Sequence, residues 1–416
     1  MNKKLFTQIK NEWRTNLWLI IELLVVSVVL WYIVDFFYVN ISIRTLPRGF
    51  DVEHCYRIYI DDVNVKSPEY ITGLNDSIVA EQKRELLDRI SRRPEVEAAS
   101  WSQNSYPYNG SNSGISVYYA DERDTLQSDG YVVRRWVTPD FVRVFRYTGV
   151  AGETPEQLAE MLKEGKVLIN NSLFKHQGVE LKDYVGKEFA LADSSIIAPL
   201  GAALTTPRYN DYQTWGHTVL INILNYNNVA WCSELCIRVK PDMDHDVREN
   251  IMKDAPSQYR IGNLMVTDVV SFDNIRDNFQ RLWTNKERNY YAGMGFLLFN
   301  IFLGLLGTFW FRTQQRVSEI AIRKVNGATA GDIFMRLIGE GLLLLVVATI
   351  PAAVIDVLLS WYGYNQWLDD GFMGWVRTPA TILITFVLMA VMIVLGIMIP
   401  ARRAMKIKPA IALKDE

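Results

Sequence analysis

The chain has 416 residues, with 44 lysines and arginines against 46 aspartates and glutamates, so its net charge at pH 7 is −2. This length allows about two or three domains, and the charge balance argues against a nucleic-acid-binding protein, which would present a basic surface. Hydrophobic residues make up 49%, an ordinary globular share, so their distribution along the chain must decide whether it enters a membrane.

Four stretches are nearly free of charge, namely residues 17–34, 292–311, 337–359 and 380–399. Each has about the 20 residues that a helix needs to cross a bilayer. Because a bilayer offers no partners to backbone N–H and C=O groups, each stretch is predicted to be a helix. The first stretch is long for a signal peptide, contains Glu22 and lacks a small-x-small cleavage site, so it is predicted to be a retained anchor.

The loops predict the orientation of these spans. Residues 1–16, 312–336 and 400–416 are rich in lysine and arginine, whereas residues 360–379 contain a single arginine beside acidic residues. By the positive-inside rule, both termini and residues 312–336 are cytoplasmic, and residues 40–290 and 360–379 lie outside.

Residues 40–290 are long enough to fold independently. Two segments have the same order of elements: a strand over 55–60, a helix over 76–90 and a strand over 96–101, then a strand over 234–240, a helix over 246–254 and a strand over 264–270. Two such units predict an α+β domain with a split ferredoxin-like β-α-β layer.

The segment between these units, residues 105–232, is predicted to be an inserted mostly-β subdomain. Its expected strands cover 114–120, 131–137, 166–169 and 218–223, with one helix over 155–163. After the domain, residues 273–288 are predicted to form a helix that leads directly into the second span, and a continuous helix there would act as a rigid lever.

No catalytic, metal or nucleotide site is predicted. The four histidines are scattered and no phosphate-binding glycine motif occurs. Cys232 and Cys236, four apart in a predicted strand, would lie about 13 Å apart, too far for a disulfide. Cys55 could pair with either of them, or all three could be buried free thiols.

Three acids fall within the predicted spans: Glu22, Glu340 and Asp356. Acids inside a membrane are functional candidates by default. All three lie near the ends of their spans, however, so pairing with basic groups that only stabilises the structure is the alternative.

The cytoplasmic segment 312–336 predicts a short amphipathic helix. At 100° per residue, four polar residues share one arc and five apolar or small residues the opposite arc: Arg316, Glu319, Arg323 and Asn326 against Val317, Ile320, Ala321, Val325 and Ala328. Gly327 would end this helix, and Thr329 with Asp332 would cap the next one. Such a helix could dock a cytoplasmic partner or lie on anionic lipid.

The sequence over Glu319–Thr329, continuing to Glu340-Gly341-Leu342-Leu343, resembles the signature of MacB/FtsX-type ABC transporter permeases. The tail from Pro400 to Leu413 and the external segments Val137–Phe141, Val167–Asn170 and Val185–Lys187 are similar to the same family.

This resemblance implies a four-span subunit without a fused ATPase. Two such subunits, identical or different, would pair in the inner membrane with the large domain in the periplasm. A separate cytoplasmic ATPase would carry ATP and Mg²⁺. Residues 1–16 would form an amphipathic helix on the inner leaflet. The residues expected to couple to the ATPase are Arg316, Glu319, Arg323, Lys324, Asn326, Gly327 and Ala328, although Asn326 replaces a usually apolar residue.

The expected function is mechanical and non-catalytic. ATP-driven motion of the partner would be transmitted to the periplasmic domain to export a peptide, a lipoprotein or a hydrophobic drug, with a periplasmic adaptor or outer-membrane channel as a further partner. The alternative is a signalling or scaffold subunit that regulates a periplasmic partner such as a cell-wall hydrolase.

Overall fold

The computed structural model describes residues 13–110, 112–121, 126–128, 130–191, 195–226, 229–366 and 374–406. They form two compact units, one of residues 45–284 and one of residues 13–44 with 285–406. Most of the predicted N-terminal helix over 1–16 and of the tail over 400–416 lies outside the described residues.

The strands are β1 Cys55–Asp62, β2 Val96–Gln103, β3 Ser113–Ile115, β4 Val117–Tyr119, β5 Val132–Val137, β6 Val167–Asn170, β7 Glu188–Leu191, β8 Ile196–Leu204, β9 Thr218–Asn222, β10 Glu234–Val239 and β11 Leu264–Ser271. The α-helices are α1 Trp13–Thr45, α2 Asp76–Ser91, α3 Phe141–Val144, α4 Pro155–Lys163, α5 Ile223–Tyr226, α6 Val247–Gln258, α7 Phe272–Gln315, α8 Val317–Val325, α9 Ala330–Trp361 and α10 Gly374–Lys406.

The two predicted β-α-β units come together in the first unit. Their strands lie side by side in the order β11-β1-β10-β2, and every neighbouring pair is antiparallel. Helices α2 and α6 connect the strands of each unit, and their buried residues Leu86, Ile90 and Ile251 join the same core as Ile58 of β1. The split ferredoxin-like layer is therefore confirmed.

The insertion is mostly β, as predicted, and its strands continue the sheet of the two β-α-β units. Strand β5 pairs with β2 through Ser102 and Val137, so the sheet continues through β5, β9, β6, β8, β7 and β4. The single strand expected over 114–120 is two short strands, because β3 pairs with β5 while β4 pairs with β7. Strands β7 and β8 were not predicted, because β8 is buried along most of its length and lacks an alternating pattern.

The three cysteines of this unit, Cys55, Cys232 and Cys236, are buried free thiols. Burial raises the pKa of Cys55 and of Cys232 to about 12. The thiolate is the reactive form, so neither side chain is suited to nucleophilic chemistry at neutral pH.

The second unit consists of helices. Four helices in the described part of the chain are long and apolar enough to cross a membrane, over Asn16–Thr45, Phe272–Gln315, Ala330–Trp361 and Trp375–Arg402. Their shared core includes Leu23 and Leu30 of α1, Phe309 of α7, Leu344 of α9 and Ile393 of α10. The predicted helix over 273–288 and the predicted second span are parts of α7, which is helical throughout.

Gly341 shows how closely α9 and α10 pack. A Cβ atom placed on Gly341 would lie 2.9 Å from Cγ2 of Ile393 and 3.0 Å from Cδ1 of Ile397. A larger residue at this position would therefore push the two helices apart, which explains why a glycine follows Glu340.

A carboxylate of the first unit fastens the loop between β8 and β9 to the start of α7. Asp211 accepts hydrogen bonds from Tyr108 Oη at 2.8 Å, Arg276 Nε at 2.7 Å and Gln280 Nε2 at 3.1 Å. Burial opposes ionisation of Asp211, but the hydrogen bonds from Gln280 and Tyr108 and the charge of Arg276 outweigh it and lower the pKa of this carboxyl.

We expect Asp211→Asn to destabilise the protein by about 1.5–3 kcal/mol at pH 7, because hydrogen bonds to a charged group are lost. A lowered pKa means that this contribution is present above the unfolded value of about 3.9 and disappears as the pH falls through the folded value. Thermal unfolding of the full chain in detergent should therefore show a difference from wild type that shrinks below about pH 4. Asp242→Asn, at an exposed site, is the control, and equal stability of Asp211→Asn and wild type at pH 7 would contradict the prediction.

Candidate functional site

The predicted coupling segment forms a sharp corner between two long helices. Helix α7 ends at Gln315, and α8 occupies only Val317–Val325 before α9 begins at Ala330. At the end of α8, Gly327 has φ +88°, and the N–H groups of Gly327 and Ala328 donate to the carbonyls of Lys324 and Arg323, each at 3.0 Å. This is a Schellman motif, in which glycine takes the left-handed position, so the predicted stop at Gly327 is confirmed.

The start of α9 is capped as predicted. Thr329 Oγ1 accepts from the N–H of Asp332 at 3.2 Å, and Oδ2 of Asp332 accepts from the N–H of Thr329 at 3.0 Å. This reciprocal capping box satisfies two otherwise unpaired N–H groups. The chain therefore enters α9 in a defined direction immediately after the turn.

One side of α8 packs on the rest of its unit. Ile320 and Ala321 are each 4% exposed, and Ile320 forms a small cluster with Ile333 of α9. Because apolar burial holds this side in place, α8 is a fixed part of the corner and not a loose loop.

The outer side of α8 carries apolar residues that nothing in the described chain covers. Ile322 is 51% exposed and Val325 is 64% exposed, and they are neighbours on the helix surface. Asn326 and Gly327, at the turn, are also exposed. We call these four residues the corner patch. The sequence placed Val325 on the apolar arc with Ile320, but the last turn of α8 projects beyond the packed side and leaves Val325 open.

The predicted coupling residues have different environments. Arg316 points inward, with a side chain 19% exposed and paired with Glu340. Glu319 and Arg323 form an i,i+4 ion pair at 2.7 Å along the partly exposed flank of α8. Lys324 and Ala328 are partly buried. Of the predicted coupling residues, Asn326 and Gly327 thus lie in the corner patch, and the exposed Ile322 and Val325 were not among those predicted.

Glu340 joins three helices just behind the corner. Its carboxylate accepts from Arg312 of α7 at 2.8 Å and from Arg316 at 2.5 Å. Arg312 also donates to Oδ1 of Asn16, near the start of α1, at 2.6 Å. The side chain of Glu340 is only 5% exposed, so a buried carboxylate with two arginines links the corner to the core of the spans.

The other two predicted acids differ from Glu340. Glu22 accepts a hydrogen bond from Thr308 Oγ1 at 2.8 Å, so it has a polar neighbour on α7. Asp356 is 2% exposed, and its Oδ1 has no hydrogen-bond partner among the described residues. Among the described residues, pairing with basic groups thus describes Glu340 but neither Glu22 nor Asp356.

A further buried ion pair was not predicted. Asp35 of α1 is fully buried and accepts from Nε of Arg377, on α10, at 2.8 Å and from Asn365 Nδ2 at 3.2 Å. The sequence signal was available, since Asp35 follows the first apolar stretch and Arg377 precedes the last one. The two residues are separated by 342 positions, so only the packed helices reveal the pairing.

The chemical capacity of the described residues is limited. They contain no group of three or more His, Cys, Asp or Glu side chains that could hold a metal ion. One cavity among them, of about 790 Å³, is a mainly apolar groove between α9 and α10, lined by residues such as Val357, Trp361, Trp375 and Phe386.

The comparisons with known proteins identify the helical part of the chain. Residues 291–409 match the FtsX-like permease C-terminal family. The predicted resemblance is therefore confirmed for residues 291–409. Together with the four apolar helices, this match makes the chain a multi-pass membrane protein with an α+β domain. No curated protein matches the sequence significantly.

Among solved structures, one similar chain is a domain of a Porphyromonas gingivalis protein named as a permease. It has 14% sequence identity and a TM-score of 0.32, and the match covers 54% of this chain and 92% of that one. Likeness at this level carries no functional argument, so the permease assignment depends on the family match and the span helices.

Proposed function

We propose that this protein is the permease subunit of an ABC transporter, and that it transmits the motion of a separate ATPase subunit to its external domain. The observation that carries the proposal is the corner patch. A short helix is fixed on one side by Ile320 and Ala321 and presents Ile322 and Val325 on the other. Exposed apolar residues on a rigid element are the usual core of a protein–protein contact.

Helix α8 is connected so that a force on it would be transmitted to α7 and α9. A push on α8 acts directly on α7 and α9, because α8 is joined to both by turns of a few residues. Arg316 and Arg312 bind the same carboxylate of Glu340, so the three helices would move together. Helix α7 is unbroken over Phe272–Gln315, which supports its proposed role as a lever.

The direction of transport and the substrate class are proposed from the resemblance. Motion of the external domain would expel a peptide, a lipoprotein or a hydrophobic drug, and a second permease subunit would complete the transporter. ATP and Mg²⁺ would be bound by the partner, and this chain would supply no catalytic group.

Purification of the tagged chain in mild detergent, followed by identification of the co-purifying proteins and an ATPase assay, tests the proposal. We expect a nucleotide-binding subunit in the complex and no ATP hydrolysis by the isolated chain. An adaptor or outer-membrane channel in the complex would favour export, and a cell-wall hydrolase would favour the signalling alternative. ATP hydrolysis by the isolated chain would refute the proposal.

The proposed topology places both termini and α8 in the cytoplasm and residues 45–284 in the periplasm, following the positive-inside rule. A C-terminal tag should therefore be protected from protease in spheroplasts. A tag inserted after Gly73, in an exposed loop of the external domain, is the matched control and should be digested. Digestion of the C-terminal tag in intact spheroplasts would overturn the topology.

A further inference from the structure

Asp356 is a buried acid of the spans whose surroundings disfavour a charged carboxylate. It lies in α9, five residues before Trp361, or about 7.5 Å along the helix axis. Trp361 is 86% exposed, as expected for an aromatic residue at a membrane interface. Asp356 is 2% exposed, so its carboxyl is inside the helix bundle and below the level of that aromatic ring.

Among the described residues, no cation pairs with this carboxyl, and its Oδ1 has no hydrogen-bond partner. Arg377, near the start of α10, is already engaged, since it donates to both oxygens of Asp35 and to the carbonyl of Asn365.

The buried acid Asp35 of α1 differs from Asp356 in having partners. Asp35 accepts from Nε of Arg377 at 2.8 Å and from Nδ2 of Asn365 at 3.2 Å. Among the described residues, Oδ1 of Asp356 has no hydrogen-bond partner of either kind.

Comparison with Glu340 shows that burial alone does not decide the outcome. Glu340 is as buried as Asp356, at 4% against 2% exposed, but it has two arginines within 2.8 Å. An ionised carboxylate is stable in that setting. An isolated ionised carboxylate costs far more, and such a group takes up a proton instead.

We propose that Asp356 is a proton-binding site in the outer half of the span bundle, held as a neutral carboxylic acid because it is buried without a cationic partner. This inference does not depend on the proposed ATPase partner. The protonation state of Asp356 would then depend on the conformation of the helix bundle. A rearrangement that brought water or Arg377 to Asp356 would release the proton.

Infrared spectroscopy of the purified full-length chain in lipid vesicles tests the proposal directly. A protonated carboxyl absorbs as a C=O stretch separate from ionised carboxylates, and exposed acids are ionised at neutral pH. We expect a carboxylic-acid band at pH 7 that is lost in Asp356→Asn and retained in Glu340→Gln, the matched buried control. Absence of the band from the wild-type chain, or its persistence in Asp356→Asn, would overturn the proposal.

A second measurement needs no variant. Dicyclohexylcarbodiimide adds to protonated carboxyls in apolar surroundings: the acid O–H adds across one C=N bond, and the acyl group then migrates to nitrogen, with no leaving group. Mass mapping of the labelled wild-type chain should find the adduct on Asp356 and none on Glu340. An unmodified Asp356, or a label on Glu340 alone, would contradict the assignment.

Discussion

Val325→Asp should release the ATPase partner from the detergent-solubilised complex while leaving the permease folded. Val325 is 64% exposed in the corner patch, so a carboxylate there is hydrated in the free subunit and costs it little. In the docked complex the same charge would be buried against the partner without a counter-ion, which is strongly unfavourable. We expect at least a tenfold loss of affinity, equivalent to about 1.4 kcal/mol or more.

The measurement is the amount of ATPase recovered with tagged permease at matched expression, with thermal unfolding in detergent as the check on folding. Gln315→Asp, an exposed position at the end of α7, introduces the same charge outside the patch and should retain the partner. Undiminished recovery with Val325→Asp would count against docking and favour the alternative in which α8 lies on anionic lipid.

A charge reversal on the flank of α8 extends this test. Arg323→Glu places a second acid four residues from Glu319, which removes their ion pair and creates a repulsion of similar size. The effect on folding should be a few tenths of a kcal/mol because the pair is partly exposed. We therefore expect reduced ATPase recovery from a chain that still purifies normally, and full recovery would show that this flank does not face the partner.

Glu340→Ala should be the most destabilising single substitution at the corner. It leaves Arg312 and Arg316 without the carboxylate that both of them bind, and breaking a buried ion pair by removing one partner costs about 3–5 kcal/mol. Glu340→Gln keeps an acceptor but loses the charge, so its effect should be intermediate. The unfolding temperature of the purified chain in detergent measures both.

Glu22→Gln is the matched control for that experiment, because Glu22 accepts a single hydrogen bond, from Thr308. Weakening this single hydrogen bond should lower the free energy of unfolding by about 1 kcal/mol or less. A double-mutant cycle with Arg316→Ala should show strong coupling to Glu340, since removing either residue eliminates the same contact. An unfolding temperature for Glu340→Ala equal to that of wild type would mean that the cluster contributes nothing to stability.

Much of the site was readable from the sequence. The end of α8 at Gly327 and the cap formed by Thr329 and Asp332 depend on residues within a few positions of each other, and local hydrogen bonding decides them. The exposure of Val325 was not readable, because helical periodicity assigns a residue to a side without showing how far the packed surface extends beneath it. Ile320 packs against Ile333 there, whereas Ile322 and Val325 in the last turn of α8 remain 51% and 64% exposed.

The sequence by itself determined the four membrane spans, the two β-α-β units and the short amphipathic helix, because each depends on hydrophobic periodicity and length within one segment. Only the tertiary structure decided that the insertion continues the sheet through β5 and β2, that Arg377 pairs with Asp35, and that Asp356 has no such partner among the described residues. These outcomes depend on contacts between residues far apart in the chain. Whether a buried charge is paired depends on which helix packs beside it, and a local sequence pattern does not contain that information.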